Sequence, residues 1–262
     1  GALVVLAVRD PARGAEAATG MRGDVEVRRL DLADLASVRE FASGWSGPLD
    51  VLVANAGIMA VPQGRTADGF ELQFGTNHLG HFALVNLLLP QVTDRVVVVS
   101  SGAHRMGRID LDDPNWERRP YNAWRAYGQS KLANLLFVLE LQRRLAAAGS
   151  RVRALAAHPG WAATNLQARS GNRVVDLVGN VGNRLLAQSA DAGARPTLFA
   201  AVQDLPGASY VGPDGFQEGR GHPALVGRSA AASDPEVAAR LWELSARLTG
   251  VDAALPTAAA GS

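Results

Sequence analysis

The sequence contains no cysteine, which excludes disulfide bonds and thiolate-ligated metals. It has no apolar run of the ~18 to 20 residues that a membrane-crossing helix needs. The opening Gly1–Val8 stretch is too short for a span, and no small-residue cleavage site follows it as in a signal peptide. Neither sign of charge prevails: 26 Lys and Arg stand against 25 Asp and Glu, a formal net charge of +1. That balance argues against a nucleic-acid or anionic-membrane partner. The five histidines (78, 81, 104, 158 and 222) make no ligand pattern such as H-E-x-x-H, so no metal site is expected. His78 and His81 read as ordinary helix residues. With 47% hydrophobic and 19% charged residues, the composition is that of a globular protein rather than a disordered one. A cytoplasmic location is expected.

Short β-branched runs alternate with longer helical patterns. Candidate strands lie at 3–8, 25–30, 51–54, 96–100, 152–157 and 209–211, and candidate helices at 34–43, 70–89, 125–148, 190–202 and 235–248. Several strands are apolar on both faces, as strands between two helix layers must be. This alternation predicts an α/β fold with a doubly wound parallel sheet flanked by helices, one domain over residues 1–250. Residues 251–262 are rich in Ala and have no amphipathic period, which predicts a flexible tail.

Polar clusters fall at strand ends or on adjacent helices, where ligands sit in open α/β sheets. Tyr127 and Lys131, four apart on a helix, share one face. A phenol is a poor base at neutral pH, and a nearby ammonium favours phenolate, so the pair can form a tunable acid/base. Ser100 and Ser101 end one strand, Asn55-Ala56-Gly57 ends another, and Asn77 lies in the helix between them. His158-Pro159-Gly160 follows the strand after the Tyr helix, with Thr164 just beyond.

In that order and spacing, these five motifs resemble the short-chain dehydrogenase/reductase family. The run Asn77-His-Leu-Gly-His-Phe82, the run Ser130-Lys-Leu-Ala-Asn134 and the long Ser101-to-Tyr127 spacing are similar to its retinol dehydrogenase and WW-domain oxidoreductase branch. The resemblance runs from Gly1 to about Gly250. It implies a Rossmann-like fold and an oxidoreductase that moves hydride between a nicotinamide cofactor and a carbonyl or alcohol. It further implies that Tyr127 is the general acid or base and that Lys131 tunes Tyr127 and bonds the nicotinamide ribose. Ser101 would steady the substrate oxygen, with Ser100 a strand-end hydroxyl bonding backbone. Asn77 would hold a helix irregularity and a water that links Lys131 to solvent. Asn55, Ala56, Gly57, Pro159, Gly160 and Thr164 would line the cofactor, with Asp31-Leu32 beside the adenine. The rival role for Asp31 is helix capping.

Val8 stands where NAD-using relatives carry an acidic residue, and Arg9 follows. A guanidinium there would pair with a 2′-phosphate, which favours NADP(H) over NAD(H); the rival is an Arg9–Asp10 surface pair. The resemblance also calls for a first strand and a T-G-x-x-x-G-x-G loop, which nothing before Leu3 supplies. The sequence is therefore expected to be a fragment in which two central strand edges lack a neighbour. Gly215-x-x-x-Gly219-x-Gly221 has the spacing, but His222-Pro223 follows where a helix should begin, so it reads as a C-terminal loop. Gly179–Gly182 is a second decoy. The alternatives are a cofactor-deficient fragment, a non-catalytic binding protein of this fold, or an epimerase-like relative. Residues 165–189 are expected to cover the substrate, and Trp161, Leu166, Val174, Val175 and Leu177 suggest a small apolar ligand. Homodimers or homotetramers through the helices carrying Asn77 and Tyr127 are implied by the resemblance.

Overall fold

The computed structural model describes residues 1–160 and 190–253. Thr164, Trp161, the expected substrate cover, the Gly179–Gly182 decoy and the end of the tail lie outside the described residues. In chain order the main elements are β1 (Val4–Val8), α1 (Pro11–Ala18), β2 (Val25–Arg29), α2 (Leu35–Ser43) and β3 (Leu49–Ala54). Next come α3 (Leu72–Phe74), a π-helical turn (Gly75–Leu79), α4 (Gly80–Leu88), β4 (Val92–Val99) and α5 (Ala123–Ala147). The chain then forms β5 (Arg153–Ala157), α6 (Ala190–Val202), β6 (Tyr210–Pro213), β7 (Pro223–Leu225) and α7 (Pro235–Thr249).

Helix boundaries follow their caps. Asp34 accepts from the amides of Ala36 and Ser37 and starts α2, and Asp234 does the same for α7 through Glu236 and Val237. The capping rival for Asp31 is therefore not realised: its carboxylate accepts from Ala33 N at 2.9 Å, a local turn, while Asp34 caps the helix. Asn122 caps α5 two residues earlier than the sequence periodicity suggests. Helix α1 is an addition to the expected elements, although its signals are present: Asp10 accepts from Ala12 and Arg13 amides, and Pro11 is the first helical residue. Strand β7, antiparallel to β6, is the other addition.

The described strands form two sheets. One has five strands in the order β3-β4-β5-β6-β7; the other is the parallel pair β1-β2. The faces of β4 and β5 alternate as a strand buried on both sides requires. Val96, Val98, Ala154 and Ala156 point into a large cluster with Phe82, Leu135, Leu136 and Trp242 from α4, α5 and α7. Val97, Leu155 and Ala157 point into a smaller cluster with Ala200 from α6. Strand β1 pairs with β2 and β3 with β4, and neither has a second partner among the described residues.

Candidate active site

Strand β4 delivers two serines to its carboxyl end, and they part ways. Ser100 is buried, and its hydroxyl donates to the main-chain oxygen of Lys131 at 2.8 Å. Ser101 is half-buried, and its Oγ accepts from Ala103 N at 3.2 Å, starting a 3-10 turn over Gly102–Met106. That turn leaves the Ser101 hydroxyl hydrogen free to point toward Tyr127.

Tyr127 and Lys131 lie one turn apart on α5, both buried. The Lys131 ammonium sits over the Tyr127 ring, 5.8 Å from its centroid, and donates to Val99 O at 3.1 Å. Asn134 Nδ2 donates to the same carbonyl. Burial holds the Lys131 amine down to about 8. Burial also pushes the Tyr127 phenol up from its ordinary value, opposed by a hydrogen bond with Ser101. The direction is opposite to the lowering expected from the Tyr–Lys spacing. The physical reason is that Lys131 faces the ring and the Val99 carbonyl, while dehydration of a phenolate at a site this buried is costly.

Asn77 is completely buried at the centre of the π-turn. Its Oδ1 accepts from Ile58 N at 2.8 Å, while Nδ2 donates to Ile58 O and to Ser130 Oγ at 2.8 and 2.9 Å. Ser130 in turn donates to Tyr127 O at 2.8 Å. The asparagine thus ties the loop after β3 to the helix carrying Tyr127. The π-turn, a feature that recurs at functional sites, aims this side chain by adding a residue to the helical turn. Gly57 lies close against Asn77 and Lys131: a Cβ there would be 3.0 Å from Asn77 Oδ1 and 3.4 Å from Lys131 Nζ, so a side chain would press its neighbours by a few tenths of an ångström.

The residues expected beside the cofactor are more exposed. Asn55 and Ala56 are exposed, and Gly57 is half-buried. Gly160 has φ +69°, a left-handed backbone that favours glycine, and its N–H donates to His158 Nδ1 at 3.2 Å. Pro159 is half-buried beside it. Leu32 is packed against α4, where a Cβ on Gly80 would lie 2.3 Å from Leu32 O. Arg9 is exposed and has no partner among the described residues, because the Asp10 carboxylate is committed to the α1 cap.

The structure thus brings Asn77, Ser101, Tyr127 and Lys131 together, with Gly57 against them. The closeness of the Gly57 backbone to Asn77 and Lys131 fits a group approaching them from that side, as a ribose or nicotinamide would. The diphosphate is another matter: among the described residues no glycine-rich turn leads into the start of an α-helix. The Gly215–Gly221 loop holds only a three-residue 3-10 turn with Gln217 in the left-handed region.

Three further residues escaped the sequence reading. Gln73, one helical turn before Asn77, accepts from Ala60 N at 2.8 Å and so anchors the same loop; the four-residue spacing was the available signal. Trp124, three residues before Tyr127, meets its ring edge-on at 6.3 Å and is about half-exposed, so it can face a substrate. Glu218 reaches Arg105 and His158 from the decoy glycine loop, a contact no local pattern announces.

Sheet order, crossover helices and a Ser-Tyr-Lys cluster at the strand ends define an oxidoreductase with a nucleotide-binding α/β fold. A family model described as short chain dehydrogenase matches residues 1–174, and the chain belongs to that family. It is 42% identical to retinol dehydrogenase 13 from Homo sapiens over 97% of this chain and 78% of that protein. It is 43% identical to a probable oxidoreductase from Streptomyces lividans, covering 94% of this chain and 89% of the relative. The crystal structure of an uncharacterized protein from Mycobacterium paratuberculosis is similar at a TM-score of 0.85 and 58% identity, over 97% of this chain and 87% of that one. The protein is accordingly a dehydrogenase/reductase of the NAD(P)-binding kind, acting on small carbonyl or alcohol substrates.

Proposed function

We propose that this protein is an NADP(H)-dependent carbonyl reductase or alcohol dehydrogenase that works through Ser101, Tyr127, Lys131 and Asn77. The observation that carries the reading is the cluster itself: a buried phenol hydrogen-bonded to Ser101, a buried amine over its ring, and an asparagine that clamps the neighbouring loop. Burial keeps Tyr127 protonated at neutral pH, which suits a proton donor to a carbonyl oxygen. The Ser101 hydroxyl donates to the same oxygen and steadies its growing negative charge. Lys131, with its amine near 8, can take up and release a proton close to neutral pH. When bound, the nicotinamide supplies or accepts the hydride at the substrate carbon. Running the other way, Tyr127 must first lose its proton, and its phenolate then takes the proton from an alcohol.

Residues fitting the cofactor are Asn55, Ala56, Gly57, Pro159 and Gly160 on the nicotinamide side, with Thr164 beyond them, and Asp31 and Leu32 on the adenine side. Arg9 favours NADP(H), because an uncommitted guanidinium at the end of β1 suits a 2′-phosphate. A small apolar carbonyl compound is the proposed substrate, and the half-exposed Trp124 beside Tyr127 supports an apolar wall. A cytoplasmic homodimer or homotetramer with its dehydrogenase domain at 1–250 completes the proposal; cell fractionation and sedimentation velocity test it.

The deciding experiment is NADPH oxidation against a panel of apolar aldehydes and ketones, using the full-length protein. Turnover is expected, and Tyr127→Phe should lower kcat by about 10²–10⁴-fold with the fold intact by circular dichroism. Turnover that survives Tyr127→Phe would sink the acid/base assignment.

A further inference from the structure

Behind the Ser101 turn lie two buried histidines that the reaction does not use. His104 Nδ1 meets Ser101 O at 2.7 Å, and its Nε2 accepts from Ser229 N at 3.3 Å. A carbonyl can only accept and an amide can only donate, so the main chain fixes the His104 tautomer at both nitrogens. His158 is different. The Gly160 amide donates to Nδ1, so a neutral ring carries its proton on Nε2. Burial, then the charges of His104 and Arg105, holds His158 down to about 4, so the ring is neutral at pH 7. The group facing its Nε2 is the Glu218 carboxylate, at 3.1 Å. That approach is too bent to be an aligned hydrogen bond, and Nε2 has no other partner among the described residues. The carboxylate therefore acts mainly through its charge.

Glu218 reaches this position at a cost. Gln217 and Glu218 both lie in the left-handed region, φ +50° and +56°, a conformation that is strained for residues with a side chain. Two features compensate. Glu218 pairs with Arg105 at 2.9 Å, four residues after Ser101. Gly212 makes room for the ring, since a Cβ there would lie 2.0 Å from His158 Nε2. The Tyr210 ring packs between the two histidines, 5.1 Å from His158 and 5.7 Å from His104.

We propose that Glu218 is a positioning residue: it keeps the His158 proton on Nε2, which leaves Nδ1 to hold the Gly160 amide, and through Arg105 it ties that turn to the Ser101 turn. The glycine-spaced loop that fails as a phosphate cradle thus has a use at the opposite end of the cofactor site. The inference rests on the reading of Ser101 and Pro159–Gly160 as substrate-side and nicotinamide-side elements.

The test follows Gly160 amide exchange and the His158 ring nitrogen signals by NMR in the full-length protein, beside NADPH-dependent turnover. Glu218→Ala should speed Gly160 exchange about tenfold, the worth of one hydrogen bond, and shift the ring signals toward a tautomer mixture. It should lower kcat by about tenfold with carbonyl KM within about twofold. Glu218→Gln keeps the shape but removes the charge, so it should speed exchange about as much as Glu218→Ala does. His158→Phe should reproduce the faster exchange, with no further rise in the double variant. Unchanged exchange and ring signals in Glu218→Ala overturn the proposal, as does additivity with His158→Phe. Should Glu218→Ala not fold, His158→Phe and Glu218→Gln decide by the same limits. Ser101→Ala separates the two readings: full turnover there defeats the catalytic assignment, while the exchange data still decide the role of Glu218.

Discussion

Strands β1 and β2 contribute no residue to either buried cluster, whereas β4 and β5 are buried on both faces. The two regions also divide the work. The five-stranded sheet positions the Ser-Tyr-Lys centre, whose geometry must hold to fractions of an ångström and which therefore sits on the most tightly packed elements. Arg9 follows the β1-β2 pair, and the phosphate contact proposed for it needs only a guanidinium near its target. A two-stranded sheet with exposed edge residues Leu3 and Val4 is marginal by itself. The pair is held by α1, where Gly14 lies against Val8 and Val27, and by the Ser37 hydroxyl, which accepts from Asp31 N at 3.0 Å.

This contrast can be broken most directly by matched truncations. Leu155→Ala, in the smaller buried cluster of the large sheet, should cost about 2–5 kcal/mol in urea unfolding, and Leu6→Ala in β1 less than about 1 kcal/mol. Equal losses would show that the strand pair shares the core.

Titration sharpens the contrast next, because the buried histidines all lie on the large-sheet side. His78, His81 and His158 are held down to about 3, 4 and 4, chiefly by burial. Their unfolded counterparts protonate near 6.5. The stability they permit is therefore complete above that pH and is lost as pH falls toward 4, at up to ~1.4 kcal/mol per pH unit per histidine. A falling Tm between pH 6.5 and 4.5, flattened by His78→Phe, is the expected record. Lys131 acts in another window. Its amine is near 8 when folded and 10.5 when unfolded, so the unfolded state binds more protons between those values and stability rises with pH there. Lys131→Met should abolish that rise and raise Tm at pH 7 while removing turnover.

The smallest effect belongs to the strand pair. Arg9→Glu should lower kcat/KM for NADPH relative to NADH by about tenfold, one charge-assisted contact, without moving Tm. A change in Tm comparable to Leu155→Ala would mean that Arg9 supports the fold instead.

Much of the fold was legible along the chain. The apolar runs of β4 and β5 and the caps Asp34 and Asp234 lie in contiguous sequence, so local rules find them. Helix α1 was also signalled, by Asp10-Pro11, but it is short and only Gly14 in it is buried, so its apolar period is faint. Among site residues, Tyr127 and Lys131 share a helix face and could be paired by spacing alone. The direction of the Tyr127 shift could not be read this way, because it depends on how deeply the ring is packed and which way the Lys131 amine turns.

The sequence by itself determined the strand and helix order, the residue types gathered at the strand ends, and the absence of thiol chemistry, since each follows from local pattern or composition. Only the tertiary structure decided that Asn77 clamps Ile58, that Ser100 turns inward while Ser101 faces Tyr127, and that Glu218 meets His158. Those contacts join residues 19 to 60 positions apart, and no local periodicity carries information over that distance. Burial then fixes their electrostatics, because the cost of a charge depends on what surrounds it in space rather than along the chain.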